Sequence, residues 1–336
     1  FNSGTVKTLL GEIMSQIQLP KSLEGKTVLI AGAAGFVPST VAEFYLNLGA
    51  QVIGLDNFIT GSKSNIELLE KYQNFTFFKQ NIYQGLPNFS EQKIDYIFSL
   101  ASPASPIDFS IIPLEIMRVN SEGTLALLEL AKAKNARFLE ASTSEVYGDP
   151  EIHPQTEDYF GHVNPIGPRA CYDESKRFAE ALTTSYAKKY GVDTRIIRIF
   201  NTYGPRMRPD DGRVIPNFIN QALKGEDITI YGDGSQTRSF CFVTDLVDAI
   251  HNVMFSDVST PFNIGNPDEY TIKECAEEII KALGSKSKLS YHPLPKDDPK
   301  RRRPDMTKLQ SICDYDPQIS FQEGIQRTAD YFKSKL

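Results

Sequence analysis

The sequence predicts an α/β protein with a doubly wound, mostly parallel sheet and a smaller C-terminal α/β lobe. Three observations predict this class. Short β-branched or aromatic runs alternate with longer helical patterns, as in βαβ units. Several of the runs are apolar almost throughout, which is expected when helices cover both faces of a sheet. The alternation then loosens after about residue 200 into segments rich in proline and glycine.

The predicted elements follow one another in regular order. Runs of β-branched and aromatic residues predict strands at 27–32, 51–56, 75–81, 95–101, 137–143 and 194–201. Helical patterns lie between them at 39–49, 120–135 and 174–191. The first and last of these patterns end at Gly49 and Gly191, the residue type that most often follows a helix C-terminus. A weak amphipathic pattern within residues 1–24 predicts an N-terminal arm helix.

Composition and charge exclude several classes of partner. The formal net charge of −6 disfavours binding to nucleic acid or to an anionic membrane surface. The one basic run, "KRRRP" at 300–304, is interpreted as a solvated loop or a local anion contact, because acidic residues surround it. No stretch reaches the roughly 18 apolar residues that a membrane span requires. Because the chain begins at Phe1 rather than at methionine, the presence of an upstream targeting or anchor segment is left open.

The four cysteines indicate the redox environment. Cys171, Cys241, Cys275 and Cys313 are widely spaced and form no C-x-x-C pair. This spacing argues against a zinc site and for a reducing compartment. We therefore expect a cytoplasmic protein without a bound metal.

The stretch "AGAAGFVPS" at 31–39 predicts a dinucleotide-binding turn. Gly32 and Gly35 follow a strand and precede a helix, an arrangement that directs helix amides, here those of Phe36 and Val37, at a pyrophosphate. Asp56 ends the next strand, where a carboxylate bonds ribose hydroxyls and repels a 2′-phosphate. The pattern therefore favours NAD over NADP. The alternative is a structural turn followed by a surface carboxylate.

Pro38 stands where the glycine pattern would place its third glycine. If the helix begins near Gly35, Pro38 falls in its first turn, where backbone N–H groups lack partners within the helix and proline is accepted. A proline ring requires more room between helix and strand than glycine does. The sequence thus predicts a working turn and leaves open how tightly the helix packs and how firmly NAD is held.

Tyr172 and Lys176 in "CYDESK" lie four residues apart at the start of a helical pattern, and therefore on one face. The usual tyrosine pKa near 10 is too high for a general base at neutral pH, but a nearby ammonium and a positive nicotinamide lower it. Such a pair alone also occurs as an exposed helix contact. Its significance comes from the order of motifs, because the glycine turn and "STSEVYGD" at 142–149 precede it.

With these motifs in this order, the chain after its N-terminal arm resembles the extended short-chain dehydrogenase/reductase family, in its nucleotide-sugar branch. Within that family, several stretches are similar to the UDP-glucuronate decarboxylases: "LASPASP", "ASTSEVYGDP", "NPIGPRACYDESKR", "RIFNTYGPRM", "DDGRVIPNFI", "QTRSFCFVTD" and "RRRPDMTK". The resemblance implies a Rossmann-type fold, tightly held NAD, and the conversion of UDP-glucuronate to UDP-xylose and CO2.

The resemblance also implies roles for the catalytic residues. Thr143 would bond the reacting sugar hydroxyl, Tyr172 would remove its proton, and Lys176 would hold the phenolate and the nicotinamide ribose. Ser144 stands where a 4,6-dehydratase usually carries Asp, and a 4-epimerase generally has a small residue at the position of Glu145. These two differences favour decarboxylation.

The same two residues, Ser144 and Glu145, would orient the sugar carboxylate or a proton-donating water. Arg238 in "TRSF" would face that carboxylate, or would serve only the UDP phosphates. The resemblance assigns the UDP end and the sugar pocket to Asn201, Arg213, Tyr231, Arg303, Asp305, Pro103 and Ser105. Guanidinium groups suit diphosphates because they bind them bidentately. The alternative for each UDP contact is a structural loop residue.

Further cofactor contacts implied by the resemblance are Asn57, Asn81, Ile82, Leu100 and Ala101. Asn81 stands where the family usually has Asp near the adenine amino group, and its carbonyl is still able to accept that hydrogen bond. Ser99 stands where His is common. Both departures lie on the cofactor side and leave Thr143, Tyr172 and Lys176 unchanged.

The resemblance divides the chain into an arm, an NAD-binding domain and a nucleotide-sugar-binding lobe. The arm spans 1–24, the domain spans 25–200 with a return segment at about 240–265, and the lobe spans 201–239 and 266–336. Family members commonly dimerise through a four-helix bundle, and the helices at 120–135 and 174–191 are apolar enough for such a homodimer. Two alternatives stay open: another epimerase or dehydratase of the family, and a non-catalytic nucleotide-sugar-binding homologue.

Overall fold

The computed structural model of the protein describes residues 20–336, and the pattern predicted to form the arm helix lies outside them. The strands are β1 (Thr27–Ala31), β2 (Gln51–Asp56), β3 (Phe75–Lys79), β4 (Tyr96–Ser99), β5 (Arg137–Thr143), β6 (Thr194–Ile199), β7 (Thr202–Tyr203), β8 (Ile228–Tyr231), β9 (Thr237–Ser239), β10 (Cys241–Phe242), β11 (Phe262–Ile264), β12 (Glu269–Thr271) and β13 (Leu289–His292). Seven of them form one parallel sheet in the order β11-β6-β5-β4-β1-β2-β3. The predicted parallel, doubly wound sheet is therefore confirmed.

Helices connect these strands. They are α1 (Phe36–Asn47), α2 (Lys63–Leu69), α3 (Pro106–Ile111), α4 (Pro113–Arg118), α5 (Thr124–Lys134), α6 (Ala170–Tyr190), α7 (Val214–Lys224), α8 (Val243–Met254), α9 (Ile272–Leu283), α10 (Thr307–Gln310) and α11 (Phe321–Lys333). One π-helical turn (Val119–Gly123) joins α4 to α5, and short 3₁₀ turns lie at Ile82–Gln84 and Ser144–Tyr147. None of the helices in the described part of the chain combines the length and hydropathy needed to cross a bilayer.

The helix ends follow local chemistry. Gly191 follows α6 with a φ of 68°, a left-handed conformation that glycine adopts without steric penalty. Both α1 and α6 begin three or four residues before the predicted starts at 39 and 174. Their first turns contain Pro38 and Tyr172, residue types that do not stand out in an apolar helical period.

Apolar side chains cover both faces of the sheet. On one face α1 and α8 contribute Phe44 and Ile250, and on the other α5 contributes Leu127, which packs with Phe138 of β5. A separate core in the C-terminal part is built by α7, α9 and α11. The faces are therefore closed, and the carboxyl-end edge of the sheet is left for a ligand.

Candidate active site

A cleft of about 480 Å³ lies at the carboxyl ends of the central strands, next to the point between β1 and β4 where the strand order reverses. Ligands of open α/β sheets bind at such a point. The cleft is lined by most residues predicted to bind cofactor or substrate: Gly32, Gly35, Phe36, Val37, Asp56, Asn57, Asn81, Ile82, Leu100, Ala101, Pro103, Ser105, Asn201, Arg213, Tyr231 and Arg238. It is also lined by all the other residues predicted to be catalytic: Thr143, Ser144, Glu145, Tyr172 and Lys176.

The turn between β1 and α1 brings backbone against backbone. Gly32 has a φ of 85°, and a Cβ at this position would lie only 2.8 Å from the Cα of Ala101. Gly35 is the N-cap of α1, and no side chain caps this end of the helix. The first amides of α1, those of Phe36 and Val37, are therefore available to an anion in the cleft.

Pro38 is the third residue of α1, where a missing N–H removes no helical hydrogen bond. The first such bond of the helix is donated by the N–H of Ser39 to the carbonyl of Gly35, at 3.0 Å. The proline is buried, and its Cδ would lie 3.3 Å from a Cβ built on Gly35. The predicted first-turn position of the proline is therefore confirmed.

Asp56 holds the glycine turn in place. One carboxylate oxygen accepts the N–H of Ala34 at 3.0 Å, and the other accepts the N–H of Phe58 at 2.7 Å. Burial raises the pKa of Asp56, and these backbone hydrogen bonds lower it. Because each carboxylate oxygen has a second lone pair, Asp56 is able to accept ribose hydroxyls while it shapes the turn.

Two amide side chains shape the neighbouring loops. Asn81 caps the 3₁₀ turn by accepting the N–H of Tyr83 at 3.2 Å, and Asn57 accepts the N–H of Ile59 at 3.0 Å. Each amide carbonyl retains one lone pair for a ligand. Asn81, which stands where the family usually has Asp, thus caps the 3₁₀ turn and still offers a hydrogen-bond acceptor to a ligand.

Thr143 and Tyr172 form one pair in the wall of the cleft. Thr143 ends β5, and its hydroxyl oxygen accepts the N–H of Glu145 at 3.2 Å. Tyr172 lies in the first turn of α6, with its ring stacked on Phe109 at a centroid distance of 5.1 Å. Burial raises the pKa of Tyr172 to about 12, while the hydrogen bond with Thr143 and the charge of Arg213 lower it.

Lys176 lies one helical turn after Tyr172 and is 4% exposed. Its ammonium donates a hydrogen bond to the carbonyl of Ala141 at 2.7 Å and lies 3.7 Å from a carboxylate oxygen of Glu140. Burial lowers the pKa of Lys176, and Glu140 raises it. The ammonium is thus bound at β5, and Arg213 is a cation whose charge lowers the pKa of Tyr172.

Glu145 lies among arginines beside Thr143. Its Oε2 lies 3.0 Å from Nη2 of Arg169 and 3.6 Å from Nη2 of Arg302. Burial would raise the pKa of Glu145, but the charges of the two arginines lower it to about 2. Glu145 is therefore ionised at neutral pH, so it orients or accepts protons and does not itself donate one.

Arg238 approaches the same end of the cleft from β9. Its guanidinium donates to the carbonyl of Thr237 at 2.7 Å and to Oδ2 of Asp298 at 3.3 Å. Burial lowers the pKa of Arg238, and Asp298 raises it. An arginine remains charged in proteins, so this pair is an ion pair in the cleft wall.

The charges of this arginine cluster do not cancel. Arg169, Arg238 and Arg302 are accompanied by the carboxylates of Glu145 and Asp298. Burial, and then the charge of Glu145, raise the pKa of the adjacent Asp173 to about 8, which favours its neutral form. With Asp173 in that form, the cluster has one positive charge more than its carboxylates balance, which complements one carboxylate group of a ligand.

The far end of the cleft is built on polar loop contacts. Arg213 donates to a carboxylate oxygen of Asp211 at 2.6 Å, and the hydroxyl of Ser105 donates to the backbone carbonyl of the same residue. The carbonyl of Asn201 accepts an N–H from β10, and Tyr231 is 45% exposed at the mouth. Asp211 thus holds Arg213 in place in the wall of the cleft.

Arg303 and Asp305 lie outside the cleft wall. Their N–H groups donate to the side chain and the carbonyl of Gln155, at 3.0 and 2.8 Å. Arg302 of the same basic run is 1% exposed and donates to the carbonyls of Ser144 and Gly148. Of the two interpretations of this run, the solvated loop is therefore wrong at Arg302, which is buried and satisfies these carbonyls, whereas its distance of 3.6 Å to the carboxylate of Glu145 agrees with a local anion contact.

Sequence reasoning missed Arg169, Glu140 and Arg302. Arg169 precedes Tyr172 by three residues, and this helical spacing was an available signal. Glu140 is a carboxylate inside a buried strand, a rare position for an unpaired charge and a second available signal. Nothing in the run of three arginines distinguishes Arg302 from its neighbours.

Relatives of known name cover almost the whole chain. UDP-glucuronic acid decarboxylase 1 of Danio rerio is 48% identical over 311 residues, which cover 93% of this chain and 73% of the relative. UDP-glucuronic acid decarboxylase 6 of Arabidopsis thaliana is 42% identical over 337 residues, which cover 100% of this chain and 97% of the relative.

Solved structures share the fold. UDP-glucuronic acid 4-epimerase from Bacillus cereus, in complex with UDP-glucuronic acid and NAD, superposes with a TM-score of 0.83 at 28% identity, over 92% of this chain and 100% of that one. UDP-glucose 4-epimerase from Thermotoga maritima, with UDP-glucose, has a TM-score of 0.83 at 29% identity, over 92% and 99%. The family model described as "NAD dependent epimerase/dehydratase family" matches residues 28–265. On this match and on the identity to its relatives, the chain belongs to the NAD dependent epimerase/dehydratase family.

Proposed function

We propose that this protein is a UDP-glucuronate decarboxylase, which converts UDP-glucuronate to UDP-xylose and CO2. The observation that carries the proposal is the arginine cluster beside Thr143 and Tyr172. In a uronic acid the carboxylate is attached at C5, next to C4, so a base for the C4 hydroxyl and a cation for the carboxylate must be neighbours. Glu145 is near both, since its charge raises the pKa of Tyr172 and the charge of Arg238 lowers the pKa of Glu145. The relatives named as decarboxylases of this substrate support the assignment.

The cleft fits NAD. The close backbone contact at Gly32 and the uncapped N-terminus of α1 present amides to a pyrophosphate, and the carboxylate of Asp56 disfavours a 2′-phosphate. When bound, NAD supplies reversible hydride transfer, so one molecule serves both the oxidation and the final reduction. The family description, NAD dependent, agrees with this fit.

Tyr172 is assigned as the base that takes the proton of the C4 hydroxyl. Its hydrogen bond with Thr143 lies in the cleft wall, where the threonine hydroxyl is also able to bond the sugar hydroxyl. Because burial raises the pKa of Tyr172 to about 12 in the free protein, the phenol is protonated at neutral pH. We therefore expect turnover to rise with pH through the neutral range.

Loss of CO2 follows oxidation at C4. The C4 ketone makes the sugar a β-keto acid, so the C5–C6 bond breaks and its electron pair moves through C5 to the C4 oxygen. Thr143 is assigned the hydrogen bond that stabilises this oxygen. Arg238 orients the departing carboxylate. The ionised Glu145 contacts the arginines on one side, and on its other side it is assigned to orient the water that protonates C5.

Product analysis with UDP-glucuronate and no added NAD tests the substrate, the reaction and the retained cofactor together. We expect CO2 and UDP-xylose from the purified protein and neither product from Tyr172→Phe prepared in the same way. Formation of UDP-galacturonate without CO2 would replace the proposal by a 4-epimerase. If neither product forms even with NAD added, the proposal that the protein acts on this substrate would be overturned.

We also propose a homodimer through a four-helix bundle of α5 and α6. Leu125 on α5 and Phe178 on α6 are 42% and 51% exposed, and Leu114 and Met117 on α4, which packs on α6, are exposed as well. Large exposed apolar side chains on three helices that pack together favour an interface. Phe178→Glu is expected to halve the mass measured by light scattering, and Tyr291→Glu, a matched exposed position in the lobe, is expected to leave it unchanged. A monomeric native protein would overturn the proposal.

We infer a cytoplasmic location from the cysteines. All four are free in the described residues, as expected in a reducing compartment. A fluorescent fusion to the complete coding sequence tests the location, and a signal confined to secretory compartments would overturn the inference.

A further inference from the structure

Glu140 is a carboxylate buried directly behind the wall of the cleft. It lies in the middle of β5, opposite Ser99 of β4 in the sheet register, and is 1% exposed. Its neighbour Ala141 lines the cleft, and Glu140 does not. Glu140 therefore acts on a bound ligand only through another residue.

The charge of Glu140 has one close partner. Neither carboxylate oxygen accepts a hydrogen bond of good geometry from the described residues, and the nearest groups are the ammonium of Lys176 at 3.7 Å and the hydroxyl of Ser99. Burial raises the pKa of Glu140, and Lys176 lowers it. A buried carboxylate with so few partners is costly, so its presence beside Lys176 requires an explanation.

The other charged groups near this pair are satisfied elsewhere. Glu180 faces the pair from α6, but its carboxylate accepts hydrogen bonds from Arg198 of β6 at 2.7 and 3.0 Å and from the hydroxyl of Ser142 at 2.5 Å. Arg198 thereby neutralises Glu180. Glu140 is left as the counter-charge of Lys176.

We propose that Glu140 is a positioning residue that keeps Lys176 protonated and directed at the Ala141 carbonyl. The inference rests on the proposed function, in which Lys176 takes the role that the resemblance implies and holds the phenolate of Tyr172 and the nicotinamide ribose. A buried amine loses its proton more readily than one in water, and a carboxylate at 3.7 Å opposes that loss. Glu140 thus keeps the lysine a cation in a water-poor wall without touching cofactor or substrate.

NMR of protein labelled with 13C at lysine Cε measures this directly, because the shift reports the charge of each amine. Absence of the resonance from Lys176→Arg assigns it. In Glu140→Gln we expect the titration midpoint of Lys176 to fall by about one pH unit or more, a tenfold change in proton affinity. If Glu140→Gln does not fold, Glu140→Leu replaces it, and the same fall in the titration midpoint of Lys176 is expected.

Two controls separate charge from structure. Glu140→Asp retains the carboxylate and is expected to restore most of the native midpoint. Asp245→Asn removes a different buried carboxylate, on α8, which accepts the N–H groups of Gln318 and Ile319, and is expected to leave the midpoint of Lys176 unchanged. An unchanged midpoint in Glu140→Gln would overturn the inference, because Glu140 would then be neutral in the native protein.

The kinetic readout is the pH dependence of turnover. In Glu140→Gln the alkaline limb of kcat is expected to move to lower pH, because the ammonium is lost earlier, while KM for UDP-glucuronate stays within about twofold. Failure of the native protein to release CO2 would remove the proposed function and leave the NMR result standing. A shifted KM with an unshifted pH limb would assign Glu140 a merely structural role.

Discussion

The two ends of the cleft are held by different means. At the cofactor end, backbone contacts dominate: Gly32 lies against Ala101, and Asp56 accepts two backbone N–H groups. At the sugar end, charged side chains hold one another, as Glu145 does with Arg169. The first arrangement depends on space and conformation, and the second depends on matched charges. At the first end a substitution is therefore expected to be mild where the backbone tolerates it, as at Pro38, and severe where it does not, as at Gly32. At the second end the removal of one charge from a pair is expected to act strongly.

Two carboxylates that lie five residues apart sharpen the comparison. Glu140 has its pKa raised by burial, whereas two arginines lower the pKa of Glu145 to about 2. Both belong to the same segment, β5 and the turn after it. The number of cations close to each carboxylate, rather than the residue type, decides whether its pKa is raised or lowered, and therefore which chemical role it is able to take.

Tyr172→Phe is expected to give the largest effect. It removes only the hydroxyl that carries the proton, so kcat is expected to fall by about a thousandfold or more, while the ring keeps its stacking on Phe109. NAD and UDP-sugar affinities are expected to stay within about threefold when measured by calorimetry. An equal loss of binding and turnover would mean that the tyrosine has a structural role.

Glu145→Gln is expected to give the second-largest effect, at the sugar end of the cleft. Removal of the charge leaves Arg169 and Arg302 without their carboxylate, so the free energy of unfolding is expected to fall by about 3 kcal/mol and kcat by about a hundredfold. Denaturant titration and CO2 release measure the two effects. The matched control is Glu122→Gln, which removes an exposed partner of Arg118 and is expected to change neither quantity measurably.

The same substitution changes the acid stability. The pKa of Glu145 is lowered from 4.5 to about 2 in the folded protein, so its ionised form stabilises the fold above about pH 4.5, and this contribution is lost as the pH falls towards 2. Acid unfolding of Glu145→Gln is therefore expected to lack that part of the pH dependence. An unchanged slope between native and variant proteins would contradict the arginine cluster as the source of the lowered pKa.

Arg238→Gln and Arg303→Gln compare an arginine in the cleft wall with one outside it. Arg238 lies beside Asp298 in the wall, so its loss is expected to raise KM for UDP-glucuronate by roughly 10- to 100-fold. Arg303 lies outside the wall, and its contact with Gln155 is made by the backbone N–H, which the variant keeps, so loss of the side chain is expected to change KM by less than about threefold. Steady-state kinetics measure both. A large effect at Arg303 would instead favour the contact with the UDP group that the resemblance implies.

The sequence predicted those parts of the site that depend on local pattern. Apolar runs predicted the central strands, and parallel topology brings their carboxyl ends together, so Asp56 and Thr143, each at the end of a strand, were expected at one edge of the sheet. The first-turn position of Pro38 followed from the glycine turn and from the missing N–H. Each of these conclusions requires only neighbours in the chain and a general rule of βα geometry.

The charge pairs could not be predicted in this way. The basic run places Arg302 and Arg303 side by side, yet only Arg302 turns inward to carbonyls more than a hundred residues away. Glu140 and Lys176 likewise meet only after α6 packs on β5. Such contacts depend on loop paths and on the packing of distant elements, which single-sequence patterns do not contain.

Pro38→Gly is expected to give the smallest effect and tests the cofactor end alone. Proline at the third position of α1 removes no helical hydrogen bond, so glycine gains only ring space and backbone freedom. The affinity for NAD, measured by calorimetry on protein freed of nucleotide, is therefore expected to change by at most about tenfold, or about 1.4 kcal/mol. Pro38→Ala restores the N–H without the freedom of glycine and is expected to stay within the same limit. A larger gain in both variants would mean that the ring holds α1 away from β1; a larger loss in Pro38→Gly alone would mean that proline orders the amides of Phe36 and Val37.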